Sequence, residues 1–270
     1  MITASLVLYN NKIEECKRVL NCLLNSPIDK IYLIDHSPNN ILSCLKKYSE
    51  RIEYMWHINT GYGAGHNLAI HHAVEIGSKY HLISNVDIFF DKDVIPALID
   101  YMEIHEDVGL IMPKVFYPNG ELQKLCKRLP TPWDLICKRF LPPKLAKKQV
   151  EKLCLQHFDY NSLLNVPWLS GCFLMCRSVI LERIHGFDER FFMYAEDIDF
   201  SRRCHMISRT VYNPNIQIVH DHKASSYHSI KMLIAHITSV MKYFFKWGFI
   251  FDTERKRENE RLDMELQSLH

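Results

Sequence analysis

The stretch ITASLVLYNNKIEECKRVLNCLLNSPIDKIYLIDHS, residues 2–37, contains the pattern from which the architecture of the whole chain follows. It begins with an apolar run typical of a buried strand (2–10), continues with the amphipathic pattern of a helix (13–26), and ends with a second apolar run (30–37) that stops at polar residues. A strand, a helix and a strand in this order predict a right-handed crossover between two parallel strands.

The same alternation continues along the chain. IEYMWHIN (52–59) reads as a strand, AGHNLAIHHAVEIG (64–77) as a helix and YHLISNVDIFF (80–90) as a further strand. We therefore predict an α/β fold of Rossmann-like type, in which helices flank a mostly parallel central sheet. Such sheets bind ligands beyond the carboxyl ends of their strands, where Asp35 and Asp87 fall.

The rest of the chain divides by composition. VPWLSGCFLMCRS (166–178) reads as a return to core strand, HSIKMLIAHITSVMKYFFKWGF (228–249) as a long helix, and ERKRENERLDMELQ as a charged, solvated tail. We expect one domain followed by a C-terminal helical segment. The predicted parts are a first half at about 1–117, a basic excursion at about 118–166, a second half at about 167–225, and the C-terminal helix and tail at 226–270.

The basic excursion mixes cationic and apolar residues. One interpretation is a solvated basic surface, and the other is a mobile segment that touches an anionic membrane or a phosphate-bearing acceptor. The long helix from about His228 to Phe251 has three candidate roles: membrane or partner contact, core cover, or a dimer face. The basic residues of the excursion are Lys124, Lys127, Arg128, Lys138, Arg139, Lys144, Lys147, Lys148 and Lys152.

Overall composition limits the class of protein. The chain has 270 residues, of which 47% are hydrophobic and 24% charged, enough for a large globular core. A net charge of +2 argues against nucleic acid as the main partner. Nine cysteines without a CxxC pair favour a reducing compartment. No apolar run is long enough to span a bilayer and the first residues enter a strand directly, so we expect a cytoplasmic protein without a secretory signal.

The stretch NTGYGAGHN, residues 59–67, places three glycines between a strand and a helix. Glycine permits a tight turn and lets backbone N–H groups approach a ligand. The dinucleotide-binding fingerprint requires a glycine where His66 stands, and a phosphate-binding P-loop requires a Gly-Lys-Ser/Thr that is absent. These mismatches argue against an oxidoreductase, while a sharp turn without a ligand stays open.

Two further segments carry candidate metal ligands. In SNVDIFF, strand alternation would place Asn85 and Asp87 on one face, where Asp87 suits a divalent cation bound to a diphosphate. Asn85 would hold a ribose or orient Asp87. In IVHDHK, two histidines flank an acid after a strand, and His220 is the candidate to complete the metal site.

The stretch FFMYAEDIDF holds three carboxylates in an aromatic and apolar setting. Buried acids need a partner or a role, because burial penalises the charged form. At a helix N-terminus, Asp199 would pair with Arg202 or Arg203 one turn later. That explanation does not extend to Glu196 and Asp197, which we single out as candidate functional acids.

The order and spacing of these segments resemble those of GT-A fold glycosyltransferases of family 2, most closely the rhamnosyltransferase-like branch of bacterial surface polysaccharide assembly. The resemblance covers most of the chain. The motifs that carry it are LVLYN, LIDHS, NTGYGAGHN, SNVDIFF, WLSGCFLMCRS, GFDERFFMYAEDIDFSRRC and IVHDHKASS.

The resemblance implies an inverting transfer of a sugar from a nucleoside diphosphate, with dTDP-L-rhamnose favoured. The first half would bind the nucleotide, with Asp35 on the base, and the second half the acceptor. A divalent cation, Mg²⁺ or Mn²⁺, would lie at Asp87 and His220, although Asn85 replaces the first acid of the family's Asp-x-Asp element and leaves metal dependence open. The implied donor-binding residues are Tyr9, Asp35, Asn59, Gly63, Gly65, Asn67, Asn85 and Asp87.

The resemblance also assigns roles on the acceptor side. Asp197 would act as general base, with Glu196 as a supporting or acceptor contact, and an apolar surround would raise the carboxylate's basicity. Trp168, Ser170 and Gly171 would line the sugar, although plain core packing is the alternative for Trp168.

The implied partners are a nucleotide-sugar donor and a glycan or lipid-linked acceptor, but no nucleic acid. Peripheral contact with the inner face of the cytoplasmic membrane and a homodimer are further candidates. The alternative function is a non-catalytic glycan- or nucleotide-binding subunit of the same fold. The presence of Asp87, Asp197 and His220 argues against that alternative.

Overall fold

The computed structural model describes residues 1–222 and 230–269, without the side chains of Lys138, Arg139 and Lys231. Three sequence-based expectations therefore lie outside the described residues: the domain boundary between 225 and 226, the start of the long helix at His228, and the end of the IVHDHKASS motif.

The first half of the chain alternates strands and helices as predicted. A short 3₁₀ helix (Ile41–Lys47) precedes the third strand. The elements are β1 (Ile2–Leu8), α1 (Ile13–Leu24), β2 (Lys30–Asp35), β3 (Ile52–Trp56), α2 (Tyr62–Glu75), β4 (Tyr80–Ser84), β5 (Ile88–Phe89), α3 (Val94–Ile104) and β6 (Val108–Phe116).

The second half combines short strands with helices and one long strand. Its elements are β7 (Cys126–Lys127), α4 (Pro132–Phe140), α5 (Pro143–Leu153), β8 (Leu164–Asn165), β9 (Trp168–Leu169), β10 (Phe173–Arg177), α6 (Ser178–Ile184), α7 (Glu196–His205), β11 (Arg209–His220), α8 (Ile230–Trp247) and α9 (Thr253–Ser268).

The central sheet has the order β3-β2-β1-β4-β10-β6-β11-β5, with β8 paired to β11. The first four strands are parallel, and β11 is parallel to β6. The central strand β10 runs antiparallel to both of its neighbours. The predicted α/β class, with a mostly parallel sheet and a C-terminal helical region, is confirmed. The register aligns Leu8 of β1 with Asp35 and Leu6 with Ser84, so these carboxyl ends meet at one edge.

The strand predicted over residues 80–90 is wrong as a continuous element. β4 ends at Ser84, a turn contains Val86 and Asp87, and β5 then pairs with β11 at the other side of the sheet. Asn and Asp favour turns because their side chains bond to nearby backbone. Asn85 and Asp87 therefore do not share a strand face, and the alternation argument fails for them.

The helix predicted over residues 64–77 begins two residues earlier, at Tyr62. Gly63 consequently lies inside α2, as Gly65 does, rather than in the loop before it. Gly61 is the residue with a positive φ of 115° at the helix start. An added Cβ at Gly61 would lie 2.4 Å from the Phe192 carbonyl oxygen, so this turn requires glycine.

The basic excursion forms two helices rather than an unstructured loop. Thr131 caps α4 by accepting a hydrogen bond from the Asp134 backbone N–H. Leu135 and Leu153 are buried in an apolar cluster that also contains Trp168 and Tyr243. This packing against the second half of the domain explains part of the apolar content of the basic excursion. A solvated surface would not explain it.

The C-terminal segment covers the domain. α8 buries Tyr243 and Phe244 against the cluster of α4 and α5, as expected of a core cover. Within residues 1–222 and 230–269, no helix is both long enough and apolar enough to cross a bilayer.

Candidate active site

A carboxylate and two histidines form a candidate cation site where β5 meets β11. Strand pairing aligns His220 with Ile88, directly after the turn that carries Asp87. The Nε2 atom of buried His220 lies 3.2 Å from Asp87 Oδ1. One ligand atom from each of Asp87, His220 and His222 lies within 4.8 Å of the others. The sequence-based pair is therefore brought together, and His222 is an additional candidate ligand that the sequence did not assign.

Gln123 holds His220 in one orientation. The ring atom Nδ1 of His220 lies 3.0 Å from Gln123 Oε1, and Gln123 Nε2 donates to the His220 carbonyl oxygen over 2.7 Å. Because an amide oxygen only accepts, Nδ1 carries the hydrogen and Nε2 faces Asp87. Hydrogen bonding of the distal ring nitrogen is how metal-binding histidines are commonly oriented.

The protonation of His220 is set by its surroundings. Burial opposes protonation, but the nearby Asp87 carboxylate and Cys172 outweigh it and raise the pKa of His220 to about 10. Burial and the neighbouring His220 lower the pKa of His222. A cation bound at Nε2 would take the place of the proton on His220.

Tyr62 connects the cation side to the opposite wall of the cleft. Its hydroxyl lies 2.9 Å from Asn85 Oδ1 and 2.8 Å from the Gly171 carbonyl oxygen. Burial, followed by the charges of the acids around it, raises the pKa of Tyr62 well above its usual value. The neutral hydroxyl can donate to one of these acceptors at a time.

The opposite wall carries the two acids singled out in the sequence. Tyr194 and Ala195 adopt left-handed backbone angles with φ of 69° and 60°, after which α7 begins at Glu196. A Cβ added at Gly171 would lie 3.2 Å from Asp197 Cβ and 3.9 Å from Tyr62 Cε1. Tyr62 and Gly171 thus lie between the cation site and Asp197.

The two adjacent acids differ in environment. Asp197 is half-buried, and its carboxylate accepts hydrogen bonds from Trp168 Nε1 over 3.1 Å and from the Ile198 backbone N–H over 2.9 Å. Glu196 is buried, and its Oε2 atom has no hydrogen-bond partner among the described residues. Burial and the adjacent charge of Asp197 raise the pKa of Glu196 to about 8. At neutral pH Glu196 therefore holds its proton.

Asp199 has the structural role that the sequence suggested. It is fully buried and accepts hydrogen bonds from Arg203 Nε over 2.7 Å and from Trp247 Nε1 over 2.8 Å. Lys246 lies 2.6 Å from its other side. The predicted pairing with an arginine of α7 is confirmed for Arg203, whereas Arg202 pairs with Asp252.

A cavity of about 850 Å³ lies beside this cleft, between the ends of β2 and β3 and the helix α8. Tyr9 and Asn59, both predicted to bind the donor, line the cavity. Trp56, Phe192 and Lys242 line it as well, so α8 forms one wall of the predicted nucleotide site.

Asp35 is less accessible than the predicted base contact requires. It is fully buried, its Oδ1 accepts from the Ser37 backbone N–H over 2.9 Å, and its Oδ2 accepts from Tyr54 OH over 2.6 Å. The next two residues, His36 and Ser37, line the cavity instead. A base contact through Asp35 itself stays a prediction.

The remaining donor-site predictions in α2 fall at packing positions. A Cβ at Gly63 would lie 2.8 Å from Phe187 Cβ, and one at Gly65 would lie 2.7 Å from His36 Nε2. The side chain of Asn67 bonds to the backbone N–H and carbonyl groups of Phe187 over 2.7 and 2.9 Å. These residues hold α2 against its neighbours, which is why small residues recur there.

Two residues of the site were missed by sequence reasoning. Tyr62 stands between two glycines in a motif where the glycines drew attention, and an aromatic residue at a helix start is a weak signal. Gln123 lies 97 positions from His220 and carries no local pattern. Gly171 lies in the turn after β9, next to Asp197, and half-buried Ser170 directly precedes it; their contact with a sugar stays a prediction.

The sequence matches a known family over most of its length. The model described as "Glycosyl transferase family 2" matches residues 6–214. One curated relative, the N-acetylglucosaminyl-diphospho-decaprenol L-rhamnosyltransferase of Mycobacterium tuberculosis, is 28% identical over 177 residues, which cover 62% of this chain and 57% of the relative. The aligned part of this chain therefore spans just over half the length of that relative.

A second relative and a solved structure extend the comparison. Rhamnosyltransferase WbbL of Escherichia coli K12 is 25% identical over 225 residues, covering 79% of this chain and 81% of the relative. The mannosyltransferase PcManGT of Pyrobaculum calidifontis, solved in complex with GDP-Man and Mn²⁺, matches with a TM-score of 0.58 and 12% identity, covering 100% of this chain and 75% of that one. The predicted GT-A fold is confirmed.

Proposed function

The chain belongs to glycosyl transferase family 2, and we propose that it transfers a sugar from a nucleoside diphosphate to a glycan or lipid-linked acceptor. dTDP-L-rhamnose is the favoured donor, because two curated relatives are rhamnosyltransferases. The proposed setting is bacterial surface polysaccharide synthesis, at the cytoplasmic face of the membrane.

One observation carries this proposal. A chain of contacts connects the Asp87–His220–His222 cluster to Asp197: Tyr62 OH lies 2.9 Å from Asn85 Oδ1, two residues before Asp87, and 2.8 Å from the Gly171 carbonyl oxygen, and a Cβ added at Gly171 would lie 3.2 Å from Asp197 Cβ. Direct displacement at a sugar carbon needs charge stabilisation for the leaving group on one side and a proton acceptor on the other. This arrangement supports inversion, because it offers a base without requiring a covalent intermediate.

The donor set fits a divalent cation. It combines one carboxylate with two imidazoles, and buried His220 already has the tautomer that leaves Nε2 towards Asp87. Mn²⁺ is the preferred candidate, because the matching mannosyltransferase structure contains Mn²⁺ and the Asp87 carboxylate suits that ion. When bound, such an ion would stabilise the negative charge of the departing diphosphate.

The residues of α7 would handle the proton. The acceptor hydroxyl oxygen forms a bond to sugar C1, the bond from C1 to the phosphate oxygen breaks, and the hydroxyl proton moves to Asp197. Trp168 and the Ile198 backbone N–H orient this carboxylate. Glu196, whose pKa is raised to about 8, lies beside it in the protonated form at neutral pH.

The proposal is tested by incubating the purified protein with dTDP-, UDP- and GDP-linked sugars and candidate glycan acceptors, with Mn²⁺, Mg²⁺ or a chelator. We expect release of the nucleoside diphosphate that requires both an acceptor and a divalent cation. Donor binding by calorimetry without release under any of these conditions would favour the non-catalytic subunit instead. Absence of donor binding would overturn both.

A further inference from the structure

The helix α8 exposes one row of large apolar side chains. They recur every three or four residues, which places them along a single face of the helix. Ile230 is 79% exposed at one end of the row, and Phe245 is 75% exposed at the other. The members of this apolar stripe are Ile230, Ile234, Ile237, Met241 and Phe245.

The stripe faces outward because contacts on the other side of α8 hold the helix in this orientation. Tyr243 and Phe244 are buried in the core. Lys246 lies 2.6 Å from buried Asp199, and Trp247 donates to the same carboxylate. Rotation of α8 to bury the stripe would break these contacts, so the exposed row is a lasting feature of the surface.

The exposed apolar surface continues beyond α8. Ile250 and Phe251, in the loop that follows, are 79% and 90% exposed. They line a cleft together with Thr131 and Asp134 at the start of α4. α4 itself exposes three further large apolar side chains, which are Trp133, Ile136 and Phe140.

Basic residues outnumber acids on the three helices that carry this surface. The sequence of α8 contains three lysines and no Asp or Glu. In α5, Lys144, Lys147 and Lys148 are exposed, and the side chain of Lys147 is 74% accessible. An apolar row with a basic border is the pattern of helices that lie in the interface of an anionic bilayer.

We propose that the apolar stripe, with Ile250 and Phe251, docks on the headgroup region of a bilayer that contains anionic phospholipids. With 18 residues, α8 would lie in the membrane plane over about 27 Å. Because Ile234 also lines the donor cavity, docking would bring the mouth of that cavity to the bilayer surface.

A second copy of the chain fits this surface less well. Two-fold symmetric interfaces join the same patch on both subunits, so the basic border would meet itself. Like charges at close range disfavour such an interface, whereas anionic headgroups neutralise them. The proposal concerns the membrane setting of the proposed enzyme and does not depend on the transfer reaction.

The test is co-sedimentation of the purified chain with vesicles of phosphatidylcholine alone or mixed with phosphatidylglycerol. The variant I237E/F245E places two charges in the stripe at exposed positions. The matched control is I104E/M264E, because Ile104 and Met264 are 77% and 62% exposed on other helices. Circular dichroism checks that both variants are folded, and nucleoside diphosphate release with a water-soluble acceptor measures transfer separately.

We expect wild-type protein to sediment with the anionic vesicles and far less with phosphatidylcholine. The stripe variant should lose about tenfold or more in partitioning, because two charged side chains replace apolar ones that would enter the bilayer interface, and the control should match wild type. Equal sedimentation of wild type and the stripe variant would overturn the proposal. So would a wild-type dimer in light scattering that the stripe variant dissociates, if no vesicle binding accompanies it.

Discussion

The indole Nε1–H of Trp168 donates a hydrogen bond to Asp197 Oδ2 over 3.1 Å. Trp168 is only 4% exposed, and Lys127 lies 4.3 Å from the centroid of its ring. The indole of Trp168 is therefore held in the core, while the carboxylate of Asp197 is only half-buried. This arrangement gives Trp168 a positioning role towards the proposed base, and its burial leaves little of the ring surface for the predicted sugar contact.

Replacing Trp168 by Phe removes the N–H donor and keeps an aromatic ring in the core. We expect kcat to fall roughly 10- to 100-fold with donor Kd nearly unchanged, because a hydrogen bond to a charged group contributes about 1.5–3 kcal/mol. Steady-state turnover and calorimetry with the donor separate the two effects. Trp133→Phe is the matched control at an exposed position. Wild-type turnover in W168F would remove the positioning role.

Asp197→Asn and Glu196→Gln distinguish the two neighbouring acids. D197N should lose about 10³-fold or more in kcat while retaining donor affinity, because an amide cannot accept the hydroxyl proton. E196Q should stay within a few-fold of wild type at pH 7, since glutamine resembles the protonated form that a pKa of about 8 implies. The reverse ranking of the two variants would assign the base to Glu196.

Local pattern was sufficient to predict the architecture. The spacing of apolar residues and the length of apolar runs can be read from a short stretch of sequence. β1, α1 and β2 could therefore be located from residues 2–37 alone. The break after Ser84 was missed, because the apolar residues on both sides of Asn85 and Asp87 were interpreted as one strand although Asn and Asp favour turns. The pairing of β5 with β11 decides that break, and it joins residues more than 100 positions apart.

Site residues could be predicted where a motif contains a side chain of distinctive chemistry. The acids of FFMYAEDIDF and the pair Asp87 and His220 were identified from residue type and order. Tyr62 and Gln123 could not be identified, because hydrogen bonds to Gly171 and His220 define their roles and neither contact leaves a local signal. The sequence could not separate two roles for the glycines of α2 for a related reason: close helix packing selects the same residue as ligand approach.

Gln123→Ala should weaken Mn²⁺ binding without touching a predicted metal ligand. The variant removes the acceptor of His220 Nδ1–H, so the imidazole loses its fixed tautomer. We expect about a 10- to 100-fold higher Kd for Mn²⁺, measured by electron paramagnetic resonance of the free ion.

The control for this metal measurement is Gln156→Ala, at an exposed position away from the cluster. Gln123→Glu keeps an acceptor for Nδ1–H and should recover part of the affinity. An unchanged Mn²⁺ Kd in both Gln123 variants would show that His220 does not need this partner.

The raised pKa of Glu196 predicts a pH-dependent stability difference. The unfolded carboxyl ionises near 4.5, whereas the folded one holds its proton up to about 8. Between these values the native state binds the extra proton, so the contribution of Glu196 to stability falls as pH rises. Glutamine has no such titration. We expect E196Q to gain a few kcal/mol relative to wild type between pH 4.5 and 8, since one pKa unit corresponds to about 1.4 kcal/mol. Urea unfolding at both ends of this range measures the gain, and a pH-independent difference would contradict it.

Asp252→Ala should destabilise the whole C-terminal cover. Asp252 accepts hydrogen bonds from both terminal nitrogens of Arg202 over 2.6 and 2.7 Å, and both side chains are almost fully buried. Removing one partner leaves an uncompensated charge in the interior, which costs about 3–5 kcal/mol.

The exposed pair of Arg209 and Asp107, 3.4 Å apart, supplies the control, since Asp107→Ala should cost less than about 1 kcal/mol. If D252A is too unstable for urea unfolding, R202M/D252L removes both charges and should be more stable than D252A alone. A double variant less stable than the single one would show that the pair itself, rather than an unpaired charge, determines the stability of this interface.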